Sequence, residues 1–232
     1  MLATLSDSEP AAGPRSQSSA AYQIIRDDII AGVHAPGKKL KIQDLALELR
    51  VSPSAVREAL SRLVPEQLVI SRDQRGFMVA PLSIADLEDL TDLRCELERL
   101  ALRRSVERGD IEWEARVISA AHRLRALPKP ESDKSPGAAD WIARHADYHA
   151  ALISGCGSRR LMALHAQLYE QSERYRLLSV FAESERDVGG EHQELADLAL
   201  ARDADGLIDS MVAHIRHTTT LIVQAAKNSA FG

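Results

Sequence analysis

The sequence predicts a mainly α chain in two parts: a small helix-turn-helix unit closed by a β-hairpin wing, then an all-α antiparallel six-helix bundle. Three observations carry this. Apolar residues recur at three- and four-residue spacing over most of the chain. Two short β-prone segments, residues 68–71 and 77–80, flank the basic, Gly-containing run Arg72-Asp73-Gln74-Arg75-Gly76. Beyond residue 80 the long polar break is 128–137, with three prolines, while Gly109, Gly155 and Gly157 mark joints short enough for antiparallel neighbours.

Residues 1–18 are rich in Ser, Ala, Pro and Gly, bury too little to offset their ordering entropy, and are expected to form a disordered tail. Ile24, Ile25, Ile29 and Ile30 then give a helix over 19–31, stopped by Gly32, Pro36 and Gly37. A second helix fits 42–49 and a third 53–63, with only Arg50, Val51 and Ser52 between them. So short a link forces a tight turn, and Ser52 before Pro53 is a suitable N-cap and first-turn pair. The hairpin follows, and Pro81 ends the domain because proline has no N–H for a strand ladder. The first domain is therefore set at 19–80 and the helical one at 81–228, with helices over 83–108, 110–127, 138–154, 158–180, 184–201 and 203–227.

The 232 residues, 45% of them hydrophobic, are enough for globular cores. No apolar run reaches the roughly 20 residues of a membrane helix, and the first residues lack a secretory plan, so a cytoplasmic protein is expected. Cys95 and Cys156 share no metal-type spacing and read as ordinary thiols. The net charge of −5 hides an asymmetry: Arg15 to Ala80 carries ten Lys or Arg against seven Asp or Glu, whereas Pro81 onward has nineteen against twenty-five. Electrostatic attraction to nucleic acid depends on where charge sits, so the sum does not exclude it.

The stretch IIRDDIIAGVHAPGKKLKIQDLALELRVSPSAVREALSRL, followed by RGFMV, resembles the DNA-binding domain of the GntR family of bacterial regulators. The resemblance implies a recognition helix in the major groove, a wing tip in the adjacent minor groove, and DNA contacts from Gln43, Ser52, Ser54, Arg57, Arg75 and Gly76. The chemistry of most of these agrees. Hydroxyls and N–H groups at a helix start suit phosphate oxygens, and Arg57 can reach guanine O6 and N7 with both arms, its alternative being an ordinary solvated charge. The chain departs from the family at Pro53 and Ala55, which replace the usual Arg and Pro or Thr, and at Gln67, which replaces a Gly before the wing. These departures bear on the operator sequence more than on DNA binding itself.

His145 and His149 are four apart and share a helix face; His192 and His214 fall on the last two helices, which can face one another. The alternative is that they are core or surface histidines. The helical part resembles the ligand-binding (FCD) domain of the FadR-like branch, in its six-helix, VanR-like subgroup, through Arg94, Glu98, His149 in DYHAALISG, His192 in EHQEL and His214 twenty-two residues later. That resemblance implies a divalent metal held by His145, His149, His192 and His214, with His145 at the usual Asp position. Imidazole in place of a hard oxygen favours zinc, or nickel, over magnesium. It also implies a carboxylate effector, a hydroxy acid or sugar acid, for which Arg94 offers a planar fork, unless Arg94 simply pairs with Glu98 at i,i+4.

The expected function is thus a regulator that binds double-stranded operator DNA as a homodimer and is not an enzyme; the resemblance implies repression released by ligand as the commoner outcome, with activation as the alternative. The competing class is a metal-dependent hydrolase in the helical domain. Against it, the sequence has neither an H-E-x-x-H helix nor a Gly-rich nucleophile or phosphate motif.

Overall fold

The computed structural model describes residues 16–72, 75–130, 135–176 and 186–228. Residues 1–15 of the expected tail, Asp73 and Gln74 of the wing tip, and the expected helical residues 177–180 and 184–185 lie outside them. The chain falls into two compact units: residues up to Ile29 with Val33–Ala80, and Ile30–Gly32 with Pro81 onward.

In the first unit, α1 (Gln17–Ile30) starts two residues ahead of the expected Ser19, because the Ser16 hydroxyl accepts the Ser19 N–H at 3.2 Å and caps it. Ala21, Ile25 and Ile29 form its buried face. A two-residue strand, β1 (Lys39–Leu40), leads into α2 (Ile42–Leu49). Arg50 closes α2 in the left-handed region (φ 54°), its N–H directed to the carbonyls of Ala46 and Leu47, and this reversal lets the chain turn within three residues. The Ser52 hydroxyl accepts the Ala55 N–H and starts α3 (Pro53–Leu63), whose Ala55, Val56, Ala59, Leu60 and Leu63 are buried. The wing strands are β2 (Val69–Arg72) and β3 (Gly76–Val79), paired antiparallel with Ser71 opposite Phe77.

Sequence reading missed β1, which pairs Leu40 with Phe77 and makes a three-stranded sheet in the order β1-β3-β2. Two residues held by partners nearly forty positions away leave no local period to detect. Gln67, exposed between α3 and β2, has φ 58°. It therefore carries a side chain in backbone that favours glycine, at the position where the resemblance expects one.

Six helices make up the described part of the second unit: α4 (Ile84–Arg108), α5 (Ile111–Arg125), α6 (Ala138–Ile153), α7 (Arg159–Arg176), α8 (Val188–Leu200) and α9 (Ala204–Asn228). Ser83, Asp110 and Asp187 each cap a helix by accepting a first-turn N–H. The core joins Leu102, Trp113, Tyr148, Leu152, Leu195 and Met211. Trp113 is fully buried, its indole N–H donating to the carbonyls of Ala151 and Leu152 at 3.2 and 3.1 Å. The backbone at Gly109 and Gly155 runs so close to this ring that a Cβ at Gly109 would lie 2.3 Å from it. Those two glycines let α4, α5 and α6 meet at one point. The fold places α4 against α6, α7 and α9, and α8 against α9, so side chains from five helices share one space.

Candidate functional site

Within that space α6 contributes His145 and His149, one turn apart, α8 contributes His192 from its first turns, and α9 contributes His214. All four are buried, and one ligand nitrogen from each lies within 4.8 Å of the others. The Nε2 atoms of His145 and His149 are 3.3 Å apart. Packing holds the rings in place: His145 stacks on Trp141 with centroids 4.9 Å apart, and the Tyr148 hydroxyl donates to the His192 carbonyl at 2.6 Å, pinning α8 to α6.

The outer nitrogens of two rings are already engaged. Nδ1 of His145 meets the Tyr169 hydroxyl at 2.7 Å, and Nδ1 of His214 donates to the Glu191 carboxylate at 2.6 Å. The Glu191 carboxylate, an acceptor only, fixes the His214 tautomer with Nε2 unprotonated, and the Tyr169 hydroxyl sets the orientation of the His145 ring. Glu191 is itself gripped by Arg186, whose Nε and Nη2 reach its two oxygens at 2.7 and 2.6 Å. Burial works against the Glu191 anion, but His214 and Arg186 outweigh it and hold the carboxyl well below the ordinary carboxylate range.

Burial pushes the pKa of all four histidines down, and neighbouring cations add to it: Arg176 first at His145, the other imidazoles at His149 and His192, Arg186 at His214. The cluster is therefore neutral and basic in the lone-pair sense, four soft nitrogen donors packed where protons are unwelcome. Nε2 of His192 is buried and lacks a hydrogen-bond partner, and an orphaned nitrogen at such a cost suits a metal. An ion about 2.0–2.1 Å from two imidazoles in tetrahedral array sets them roughly 3.3 Å apart, the separation found between His145 and His149. The residues fit zinc, or another borderline divalent ion.

Beside the cluster is a small cavity bounded by Thr91, Arg94, Ser172, Arg176, His214 and Thr218. Arg94 on α4 donates to the Ser172 hydroxyl at 2.8 Å, lies 3.7 Å from Glu98 and covers the Tyr169 ring at 4.8 Å. Both of its expected roles are thus compatible, since the Glu98 contact is longer than a good charge-assisted hydrogen bond and Arg94 Nε is buried without a partner. Glu98 has its shorter bond, 2.8 Å, to His165. Burial raises its pKa, but His165 and Arg94 bring it below the ordinary value, and a completely buried carboxylate remains ionised.

His165 thus belongs to Glu98 and stands outside the four-histidine set, as do His122 and His217. Asp147 faces outward and pairs with Arg144 at 2.6 Å. Tyr169, Glu191, Arg186 and Arg176 were not foreseen. Only Glu191, next to His192 in EHQEL, left a signal to follow.

In the first unit the six residues expected at DNA are all exposed: Gln43 in the first turn of α2, Ser52 and Ser54 at the start of α3, Arg57 one turn on, and Arg75 and Gly76 at the hairpin. The hydroxyls of Ser52 and Ser54 are 3.0 Å apart at the positive end of α3. Arg57 is exposed, while Val56 and Leu60 on the same helix are fully buried. Gly76 takes φ 81°, the left-handed turn the hairpin requires there.

Comparison with known proteins finds two families along the chain: bacterial regulatory proteins of the gntR family at residues 17–79 and the FCD domain at 89–217. The HTH-type transcriptional regulator BphR of Paraburkholderia xenovorans is 42% identical over 93% of this chain and 89% of its own length. The HTH-type transcriptional repressor GlaR of Escherichia coli is 32% identical, covering 88% and 94%. Among solved structures, E. coli McbR/YncC aligns over 91% of this chain and 99% of its own with a TM-score of 0.73 at 19% identity, a likeness of fold.

Proposed function

Because the chain belongs to the GntR family of bacterial regulatory proteins, with an FCD domain behind its helix-turn-helix, we propose that it is a ligand-responsive transcriptional repressor that binds operator DNA as a homodimer and senses a small carboxylate through a divalent metal in its helical unit. The matched relatives are transcription regulators, not enzymes, and repression is the activity in the name of the E. coli relative GlaR. The observation that carries the sensing part is the convergence of four buried imidazoles beside Arg94.

At DNA, Ser52, Ser54 and the N-terminus of α3 hold phosphate oxygens, Arg57 reads a guanine edge, Gln43 steadies the backbone, and Arg75 with Gly76 enters the minor groove. Two such heads double the sequence read, which is why the regulator acts as a symmetric dimer in the cytoplasm. In the sensor, His145, His149, His192 and His214 hold the ion. A bound zinc or nickel supplies a positive centre that accepts a carboxylate oxygen. Arg94 offers its fork to the same carboxylate, and Thr91, Ser172 and Thr218 supply hydroxyls for an acid that carries its own, hence a hydroxy acid or sugar acid. The cavity is lined from α4, α6, α7 and α9, so a ligand that fills it has contacts to change between DNA-competent and incompetent arrangements.

The test is operator retention by the zinc-loaded chain with and without a panel of hydroxy and sugar acids, together with metal content of His192→Ala and His214→Ala. Release of DNA by one acid, and loss of zinc and of that response in both variants, is expected. Full zinc content in both variants overturns the sensor, and indifference to every duplex at low salt overturns the regulator.

A further inference from the structure

Among the described residues, two separate cavities border the imidazole cluster. The first, beside Arg94, touches His145, His149 and His214 and encloses about 30 Å³. The second encloses about 130 Å³ between the end of α5, the start of α6 and the first turns of α8, and has the fourth imidazole, His192, in its wall. The two share no lining residue. Packed interiors keep few voids larger than a water molecule, and about 150 Å³ is enough for a benzene ring.

The walls differ in chemistry. Thr91, Ser172 and Thr218 put hydroxyls on the Arg94 cavity, whereas Leu124, Leu127, Trp141 and Val188 make the second one apolar. Leu124 and Trp141 are buried and Leu127 and Val188 half-buried, so apolar surface runs from its depth outward. Its mouth is set by Arg125, Gly189 and Gln193, all exposed. Arg125 donates to the Gln193 side-chain oxygen at 3.2 Å, and among the described residues no carboxylate pairs with it. A neutral amide is a weak partner for guanidinium; a carboxylate in its place gains a charge-assisted, two-armed bond. Lys129 adds a second cation to the lining, and among the described residues no Asp or Glu belongs to it.

Apolar walls select a hydrocarbon body, and a cationic mouth selects one negative charge. From this pairing we infer that the cavity at α5 and α8 is a second ligand site. It takes a small monocarboxylic acid with an apolar ring or branched chain of about six carbons, the hydrocarbon inward and the carboxylate at Arg125. That class is the opposite of the hydroxyl-rich acid suited to the Arg94 cavity, and binding here needs no metal ion. The site gives the regulator a second input, because the His192 ring borders both this cavity and the cluster. Only that consequence rests on the sensor reading above; the binding itself does not.

Calorimetric titration of the full chain, zinc-loaded and chelator-treated, with benzoate, cyclohexanecarboxylate and benzamide tests this. Both acids are expected to bind once per chain with Kd on the order of 0.1–1 mM, with or without zinc. Benzamide, which lacks the charge, should bind about tenfold more weakly. Arg125→Gln, a change at an exposed position, should cost the acids about tenfold and leave benzamide unaffected. Gly189 has room for a side chain, since a Cβ there meets only Asp187, at 3.6 Å. Gly189→Leu should therefore block the mouth and abolish acid binding, with the fold intact by circular dichroism. Acid binding that requires zinc, survives Gly189→Leu or ignores Arg125→Gln overturns the second site, as does absence of heat with both acids at about 10 mM. None of these outcomes touches the four-histidine sensor, whose own test is the zinc content of the histidine variants.

Discussion

The Tyr169 hydroxyl lies 2.7 Å from Nδ1 of His145, and that bond holds Nε2 of the same ring toward His149, 3.3 Å away. Tyr169 thus orients one of the four clustered imidazoles that are proposed to hold a metal. Burial, then Glu173, keeps its own phenol protonated far above neutrality, so it remains a neutral hydrogen-bonding group throughout the working range.

Tyr169→Phe removes the hydroxyl and little volume. Zinc affinity, measured by competition with a buffered chelator, should fall about 10- to 100-fold with the fold unchanged. Wild-type affinity in this variant would show that the Tyr169 bond does not orient His145.

The histidines give the metal-free chain a definite pH response. Their folded pKa values are held below the unfolded 6.5, so the folded state binds fewer protons than the unfolded one. Their contribution is fully present above 6.5 and is lost as pH falls from there toward the depressed values. Each histidine can contribute a slope of up to about 1.4 kcal/mol per pH unit in that window. Urea midpoints of chelator-treated protein should drop clearly between pH 7.5 and 5.5, and equal midpoints would contradict the burial of neutral imidazoles.

How far this site could be read in advance is instructive at the level of single residues. His149, His192 and His214 were reachable because ligand nitrogens must come from a few residue types, and their helices followed from a plain 3.6-residue period. Arg94 was reachable through its chemistry. Tyr169 and Glu191 were not, because an orienting partner is chosen by where helices cross, and no spacing encodes a crossing. The same holds for the second partner of Glu98: its i,i+4 pairing with Arg94 is present at 3.7 Å, but its shorter bond, 2.8 Å, goes to His165, 67 residues away. The helices of the first unit were legible from caps and turns, while β1 was not, since only its distant partner makes it a strand.

Arg57 is the side chain on α3 best placed to read a base. Arg57→Ala should weaken operator binding by roughly 1–3 kcal/mol, relax preference at one base pair, and leave thermal stability unchanged. Fluorescence anisotropy against operator and scrambled duplexes measures both effects. A loss equal on the two duplexes would reassign Arg57 to phosphate.

Gln67 stands in left-handed backbone with no Cβ-free residue to relieve it. Gln67→Gly should stabilise the first unit by about 1 kcal/mol, less the extra freedom glycine gains when unfolded. A lower melting temperature for this variant would mean that the exposed Gln67 side chain makes a contact worth more than the strain.

Both tryptophans of the chain sit in the helical unit, in opposite situations. Trp113 is locked between Gly109 and Gly155, remote from the histidines in its contacts, whereas Trp141 lies flat on His145 at 4.9 Å. Whatever changes the charge of that imidazole changes the light Trp141 emits, and Trp113 supplies a steady background. The protein is built with its own optical gauge, legible in a cuvette without a dye.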